Sequence, residues 1–75
     1  MRIRVISSTD EFDTLKASES IIHIAFRPSN TNIFSIVSQC PKLKAIQIPP
    51  SYKKTISKTT IKFLEMQGIK VNYVA

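Results

Sequence analysis

Four lysines lie within residues 49–68, the stretch whose side chains are best suited to binding a partner molecule. They are Lys53, Lys54, Lys58 and Lys62, here called the lysine group. If a helix begins near Ser51, the last three are spaced four residues apart on one helix face, where like charges destabilise a helix by roughly 0.2–0.5 kcal/mol per pair. A polyanion would remove that cost, since lysine contacts to phosphate give sequence-independent affinity for nucleic acids. The sequence therefore predicts a phosphate-binding helix, with a solvated amphipathic face as the alternative.

Positive charge is concentrated in the middle of the chain. Its 75 residues include 11 lysines and arginines and 5 acidic residues, which gives a formal net charge of +6. No acidic residue occurs between Ser20 and Leu64, and the other basic residues of that span are Arg27, Lys42 and Lys44. This asymmetry favours a polyanionic partner, so we expect these three residues to support the phosphate contacts from outside the helix. Neutral phosphate contacts are expected from Thr55, Ser57, Thr59 and Thr60.

A second set of polar residues comes from aligning the predicted strands. The alignment uses Ile3, Ile22, Ile46 and Val71. It places one polar residue of each strand in a row on the sheet face that no helix covers. These residues are Arg4, His23, Gln47 and Asn72, flanked by the apolar residues Ile21, Ala25, Ala45 and Val74. The alternative function is therefore a protein-protein interaction or homodimerisation module that uses the open sheet face, and a merely solvated face is the simpler interpretation.

Residue types that commonly carry catalysis or bind metals are scarce in this sequence. One histidine, His23, and one cysteine, Cys40, leave too few ligands for a structural zinc site. Cys40 lies on a predicted apolar helix face, and His23 has no acidic neighbour in its row. Gly68 is the only glycine, so no glycine-rich phosphate loop can form. We therefore expect no enzyme activity, no cofactor and no metal.

Hydrophobic periodicity predicts the elements that must position these residues. The predicted strands cover residues 2–6, 21–26, 43–48 and 71–74. A short helix is expected over residues 9–16, with Ser8 and Glu11 at the spacing of a capping box. A second is expected over residues 30–40, with Ser29 or Asn30 as its cap and its apolar face formed by Ile33, Phe34, Ile36, Val37 and Cys40.

The third predicted helix covers residues 51–68. Ser51 is its expected cap, and a start nearer Ser57 is the alternative. Gly68 suits a left-handed residue at its end. The side chains expected to face the core recur every three to four residues, and they are Tyr52, Ile56, Thr59 or Thr60, Phe63 and Met66, joined by Leu64.

The alternation of strands and helices predicts a small α/β fold of βαβαβαβ order that forms a single domain over residues 1–75. Helix-length crossovers imply a mainly parallel four-stranded sheet with right-handed connections. Because the strands alternate between polar and apolar residues, we expect helices on one face only, in a two-layer arrangement. The layout resembles a leucine-rich repeat, with Leu43, Ile46 and Ile48 at the core spacing of such a unit. A doubly wound parallel sheet is the alternative.

The cellular setting is predicted from what the sequence contains. No run of apolar residues is long enough for a signal peptide or a membrane span, and one cysteine is typical of a reducing compartment. We therefore expect a cytoplasmic protein without a membrane partner.

Three segments carry a family resemblance: AFRPSN (residues 25–30), CPKLKAIQIPPSYKKTISK (residues 40–58) and FLEMQGI (residues 63–69). Through them the chain resembles a family of short archaeal proteins, found mainly in methanogens and known as a domain of unknown function. Members often continue past the fourth strand. The resemblance implies at most a role in transcriptional regulation, and it carries no catalytic motif.

Overall fold

The computed structural model describes residues 2–74 and contains four strands and four helical segments. The strands are β1 (Ile3–Ile6), β2 (Ile21–Ile24), β3 (Ala45–Ile48) and β4 (Lys70–Tyr73). Two α-helices, α1 (Asn30–Gln39) and α2 (Lys58–Met66), and two 3-10 helices, Thr9–Thr14 and Pro50–Thr55, connect them. Within residues 2–74 no helix is both long and apolar enough to cross a membrane.

The four strands form one parallel sheet in the order β1-β2-β3-β4. The predicted two-layer α/β fold with a parallel sheet is therefore confirmed. Strands that follow one another in sequence are also neighbours in space, as in the leucine-rich-repeat layout. A doubly wound sheet would instead reverse its strand order at a switch point.

One face of the sheet holds the core. Its inward side chains have no exposed surface, and they are Ile6, Ile22, Ile24, Ile46 and Ile48. Ile33 and Ile36 of α1 and Leu64 of α2 join them and are also fully buried. Among residues 2–74 no helix packs on the opposite sheet face, which explains why the strands alternate between apolar and polar residues.

Helix α1 begins and ends where the sequence predicts. The Ser29 hydroxyl accepts a hydrogen bond from the Asn32 backbone N–H at 3.1 Å, and the Asn32 side chain accepts one from the Ser29 N–H at 3.0 Å. This reciprocal pair is a capping box. Phe34 differs from the prediction because its side chain is 44% exposed, although its ring packs edge-on against Phe63 with centroids 5.0 Å apart.

The short helix predicted over residues 9–16 is a 3-10 helix and covers Thr9–Thr14. Ser8 makes no side-chain capping bond, and the Glu11 carboxylate instead accepts a hydrogen bond from the Ser7 N–H at 2.9 Å. Phe12 and Leu15 are three residues apart, which suits the three residues per turn of a 3-10 helix. Phe12 is buried, while Leu15 has already returned to an extended conformation.

The single helix predicted over residues 51–68 is broken in two, and Ser57, not Ser51, caps α2. The Ser57 hydroxyl accepts a hydrogen bond from the Thr60 N–H at 3.1 Å. Pro50 at the start of the 3-10 helix pre-sets its own φ, and Ile56 is extended, with φ −107° and ψ 127°. This extended residue carries the Ile56 side chain into the core, where 6% of it is exposed.

The far end of α2 follows the prediction in its backbone but not in all its side chains. Gly68 has a φ of 77°, as expected of a left-handed cap. The N–H groups of Gly68 and Ile69 donate to the carbonyls of Glu65 and Leu64, at 3.0 and 2.9 Å, which is a Schellman motif. Met66 was predicted to face the core, and this is wrong because its side chain is 77% exposed.

Strand β1 pairs one residue away from the predicted register. Ile3 pairs with Ile21 instead of Ile22, so Arg4 lies opposite Ile22 on the helix-covered face. There the Arg4 guanidinium forms an ion pair with the Glu19 carboxylate at 3.2 Å and donates a hydrogen bond to the Thr14 hydroxyl. The prediction that Arg4 joins the open-face row is wrong, because Ile6 must enter the core beside Ile24 and side chains alternate along a strand.

Removing the α2 cap tests where this helix begins. We expect Ser57→Ala to lower the free energy of unfolding by about 1 kcal/mol, because the Thr60 N–H and the buried Thr60 hydroxyl both lose a partner. In a domain of this size that corresponds to a fall of roughly 4–8 °C in Tm, measured by circular dichroism. Ser51→Ala is the matched control and should leave Tm unchanged. A larger fall in Tm for Ser51→Ala than for Ser57→Ala would instead show that the helix begins at Ser51.

The register of β1 can be tested through Arg4. We expect Arg4→Ala to lower the free energy of unfolding by about 1 kcal/mol, because the Glu19 side chain is only 11% exposed and loses its ion-pair partner. Arg2→Ala removes the same charge from an exposed position and should change stability by less than about 0.5 kcal/mol. If urea unfolding gave the same loss of unfolding free energy for Arg4→Ala and Arg2→Ala, Arg4 would point to solvent on the open face.

Candidate nucleic-acid interface

The lysine group surrounds one open groove of about 770 Å³. Lys53 and Lys54 come from the second 3-10 helix, whereas Lys58 and Lys62 come from α2. The predicted row of three lysines on one helix does not exist, because Lys54 lies outside α2. The break between the two helices nevertheless brings all four lysines to the rim of the same groove.

A short extended segment holds the two walls of the groove in place. The Ser57 N–H donates a hydrogen bond to the Asn30 side-chain oxygen at 3.1 Å, which ties this segment to the start of α1. The Thr55 hydroxyl lies 2.7 Å from the Tyr52 carbonyl and 3.4 Å from the Pro28 carbonyl. The segment therefore cannot move without breaking contacts to the loop that follows β2.

The floor of the groove is apolar. Ile56 lies at the turn between the two walls, Ile61 comes from α2, and Tyr73 comes from β4, the outermost strand. Ile61 and Tyr73 are half-buried and pack against the core. The Lys53 ammonium lies 5.2 Å from the centre of the Tyr73 ring, within the range of a cation-π contact.

The electrostatics of the groove favour an anion. Four lysines and one acid, Glu65, line it, which gives four positive charges against one negative charge. Within residues 2–74, Arg4 and Glu19 form the one ion pair. In the same range no member of the lysine group has a carboxylate within 4 Å. Ser57 and Lys58 place the amino end of α2 at the groove, where the helix dipole adds partial positive charge.

The three outer basic residues predicted to support phosphate contacts do not share one location. Arg27 is exposed and precedes Pro28, so it lies at the same end of the sheet as Thr55. Lys42 and Lys44 precede β3, whereas the lysine group follows it. They therefore lie at the opposite end of β3 from Lys53 and Lys54.

Most of the hydroxyl groups predicted to contact phosphate are engaged within the fold. Thr60 is buried, and its hydroxyl lies 3.0 Å from the Ser57 hydroxyl. Thr55 bonds to backbone carbonyls, as described above. Thr59 is exposed, and within residues 2–74 its hydroxyl, unlike those of the other three residues, has no hydrogen-bond partner.

The open sheet face contains three of the four residues predicted for it. His23, Gln47 and Asn72 occupy adjacent register positions on β2, β3 and β4, and the His23 Nδ1 atom lies 3.1 Å from the Gln47 side-chain oxygen. Val5 replaces Arg4 in this row. Ile3 and Val5 are 47% and 53% exposed, so the face is more apolar than the sequence predicted.

The lone cysteine has a structural position. Cys40 follows the last residue of α1 as its C-cap, is 1% exposed and belongs to the core, as expected from the apolar face of the helix predicted over residues 30–40. Burial raises the pKa of the Cys40 thiol, with a further increase from Glu19 that Arg4 partly offsets. Among residues 2–74 no three His, Cys, Asp or Glu side chains are grouped so that they could hold a metal ion.

Sequence reasoning missed the floor of the groove. Tyr73 falls within the strand predicted over residues 71–74, but nothing in the sequence pattern connected Tyr73, Ile61 or Glu65 with the lysine group. The available signal was that β4 ends the predicted strand order. Within the described sheet β4 is an edge strand, so its inward Tyr73 side chain has a neighbouring strand on one side only.

Comparison with known proteins identifies a family but no characterised relative. Searches against curated proteins and solved structures gave no match. Residues 2–72 match the N-terminal domain model of a family of unknown function, DUF1699. This match spans almost the whole chain, including every strand but the end of β4. The chain therefore belongs to the DUF1699 family, through the N-terminal domain of that family.

Proposed function

We propose that this domain binds nucleic acid through the lysine group. The observation that supports the proposal is the convergence of four lysines, from two separate elements, on one groove without an acidic partner within 4 Å in residues 2–74. Lysine ammonium groups bind phosphates as point charges and release counterions, so such a surface attracts nucleic acid of any sequence. No side chain at the groove is assigned to base recognition.

The proposal gives the basic residues unequal roles. Lys53, Lys54, Lys58 and Lys62 contact phosphates directly, and Arg27 extends the surface at the same end of the sheet. Lys42 and Lys44 contribute only to the long-range attraction that steers a polyanion toward the protein. The domain acts as a non-catalytic, regulatory module in the cytoplasm, and transcription is the process that the family resemblance implies.

A homodimer formed through the open sheet face is the second candidate function. It is favoured by the pairing of β1, which puts Ile3 and Val5 on that face in place of Arg4. Four strands about 4.8 Å apart and about 13 Å long cover only about 250 Å². Stable interfaces bury about 800 Å² on each partner, so such a dimer would be weak and would form only at high protein concentration.

Two charge-reversal variants of equal charge test nucleic-acid binding at the groove. Each Lys→Glu change alters the charge by −2, so either double variant lowers the formal charge from +6 to +2. We expect Lys54→Glu with Lys58→Glu to weaken duplex DNA binding roughly fifty-fold at 0.1 M salt, since each phosphate contact contributes a factor of about eight there. The slope of log affinity against log salt should also become shallower by about two.

The matched control for this experiment is Lys42→Glu with Lys44→Glu, at the other end of β3. It should weaken binding much less and should leave the salt slope nearly unchanged. Equal losses in the two double variants would show a response to net charge alone. Absence of binding by the wild-type protein at low salt would refute the proposed function.

Sedimentation tests the second candidate. We expect the wild-type protein to show a concentration-dependent shift toward dimer, and His23→Glu to abolish it by placing a charge at the centre of the open face. Gln39→Glu adds the same charge at an exposed position on α1 and should have no effect. A wild-type protein that remains monomeric at millimolar concentration would exclude dimerisation through this face.

A further inference from the structure

The floor of the groove is chemically different from its rim, and this difference narrows the class of ligand. Phosphates need only the lysines, yet the base of the groove is formed by Ile56, Ile61 and Tyr73. In a duplex the bases are stacked inside, so a duplex would touch the rim and leave this apolar surface empty. A single strand exposes the flat faces of its bases, which stack on aromatic side chains.

We infer that the groove accommodates single-stranded nucleic acid, with one base stacked on Tyr73 and the flanking phosphates held by the lysine group. This inference rests on the proposed function and specifies the ligand of the same site. The groove volume of about 770 Å³ falls within the range of roughly 300–1,000 Å³ typical of clefts that hold drug-sized molecules. A nucleotide is a ligand of that size.

The Tyr73 ring is already positioned for this contact. It lies on the outermost strand and is half-buried, so part of the ring is packed and part is open to the groove. The Lys53 ammonium, 5.2 Å from the ring centre, shows that a group in the groove reaches this ring. A base stacked on the ring takes the place of Lys53, and the freed ammonium then contacts the adjacent phosphate.

The amino end of α2 provides a second phosphate position beside the base. The first N–H groups of an α-helix have no acceptor within the helix. Ser57 caps the Thr60 N–H, which leaves the N–H groups of Lys58 and Thr59 directed out of the helix end toward solvent. The groove therefore combines an aromatic surface, exposed ammonium groups and a helix terminus.

Glu65 limits where the backbone can lie. It is the acidic residue of the groove and lies at the far end of α2 from Ser57. Its carboxylate repels phosphate, so the strand crosses the groove near Lys53, Lys54 and Lys58. An acidic peptide is the competing occupant, because its carboxylates could meet the lysines and its apolar side chains could meet the floor.

Tyrosine fluorescence tests the stacking contact directly. The chain contains two tyrosines and no tryptophan, so Tyr52→Phe leaves Tyr73 as the only strong emitter. We expect a thymidine 12-mer to quench this emission on binding. It should also bind at least tenfold more tightly than a duplex with the same number of phosphates at the same salt concentration.

Substitutions of Tyr73 provide the second arm of the experiment. Tyr73→Leu should weaken single-strand binding roughly 5- to 150-fold, the range for loss of one stacked base. Duplex binding and the single-strand salt slope should stay the same, because no charge is lost. Tyr73→Phe keeps an aromatic ring and should keep the affinity. Should Tyr73→Leu fail to fold, the quenching in Tyr52→Phe still decides the question. Glu65→Gln should strengthen binding of both ligands.

The possible failures are distinguishable. Equal affinity for single strand and duplex, with no quenching and no effect of Tyr73→Leu, would overturn this inference and leave the proposed function intact. No binding of either nucleic acid would overturn both. Tighter binding of a glutamate- and phenylalanine-containing peptide than of the 12-mer would also overturn the inference, because it would identify a protein ligand.

Discussion

The burial of isoleucine side chains on a single face of the sheet is the constraint on which the rest of this structure depends. Each strand is only four residues long, and the first three contribute the fully buried side chains Ile6, Ile22 with Ile24, and Ile46 with Ile48. A shift of one residue in any strand would turn these side chains to solvent. The same requirement places the connections on one face, and because the strands are parallel, every loop that follows a strand emerges at one end of the sheet.

The groove exists because the third connection is divided. A continuous helix from Ser51 would have placed its lysines along one straight solvent-facing row. Instead Ile56 is extended and Ser57 starts a new helix, so the second 3-10 helix and α2 are separate segments that both line the groove. The hydrogen bond from the Ser57 N–H to Asn30 fixes this turn against the start of α1, so the basic rim and the core share the same supports.

The sequence was sufficient for features that depend on simple periodicity. Alternation predicts the strand positions and the parallel two-layer sheet, capping chemistry predicts α1 with its Ser29 cap, and glycine geometry predicts the left-handed Gly68.

The errors arose where two local patterns competed. Arg4 and Ile3 alternate correctly in either register, and only the demand that Ile6 reach the core decides between them. Ser51 and Ser57 are both adequate caps, and Ile56 faces the core with either of them. The hydrogen bond from the Ser57 N–H to Asn30, 27 residues away in sequence, supports the second. The groove floor combines residues from three elements, and no local pattern reveals such a combination.

The broken helix also changes the physical reason for expecting an anion. In a continuous helix, repulsion along the row from Lys54 to Lys62 would be the main cost that a ligand relieves. In the structure only Lys58 and Lys62 of that row lie on the same helix, four residues apart. The repulsion between lysines within a helix is therefore smaller than the sequence suggested. The four charges instead surround a concave surface whose floor is apolar. Low-dielectric walls between like charges concentrate their field in the space between them, so a groove attracts phosphate more strongly than a flat face with the same lysines.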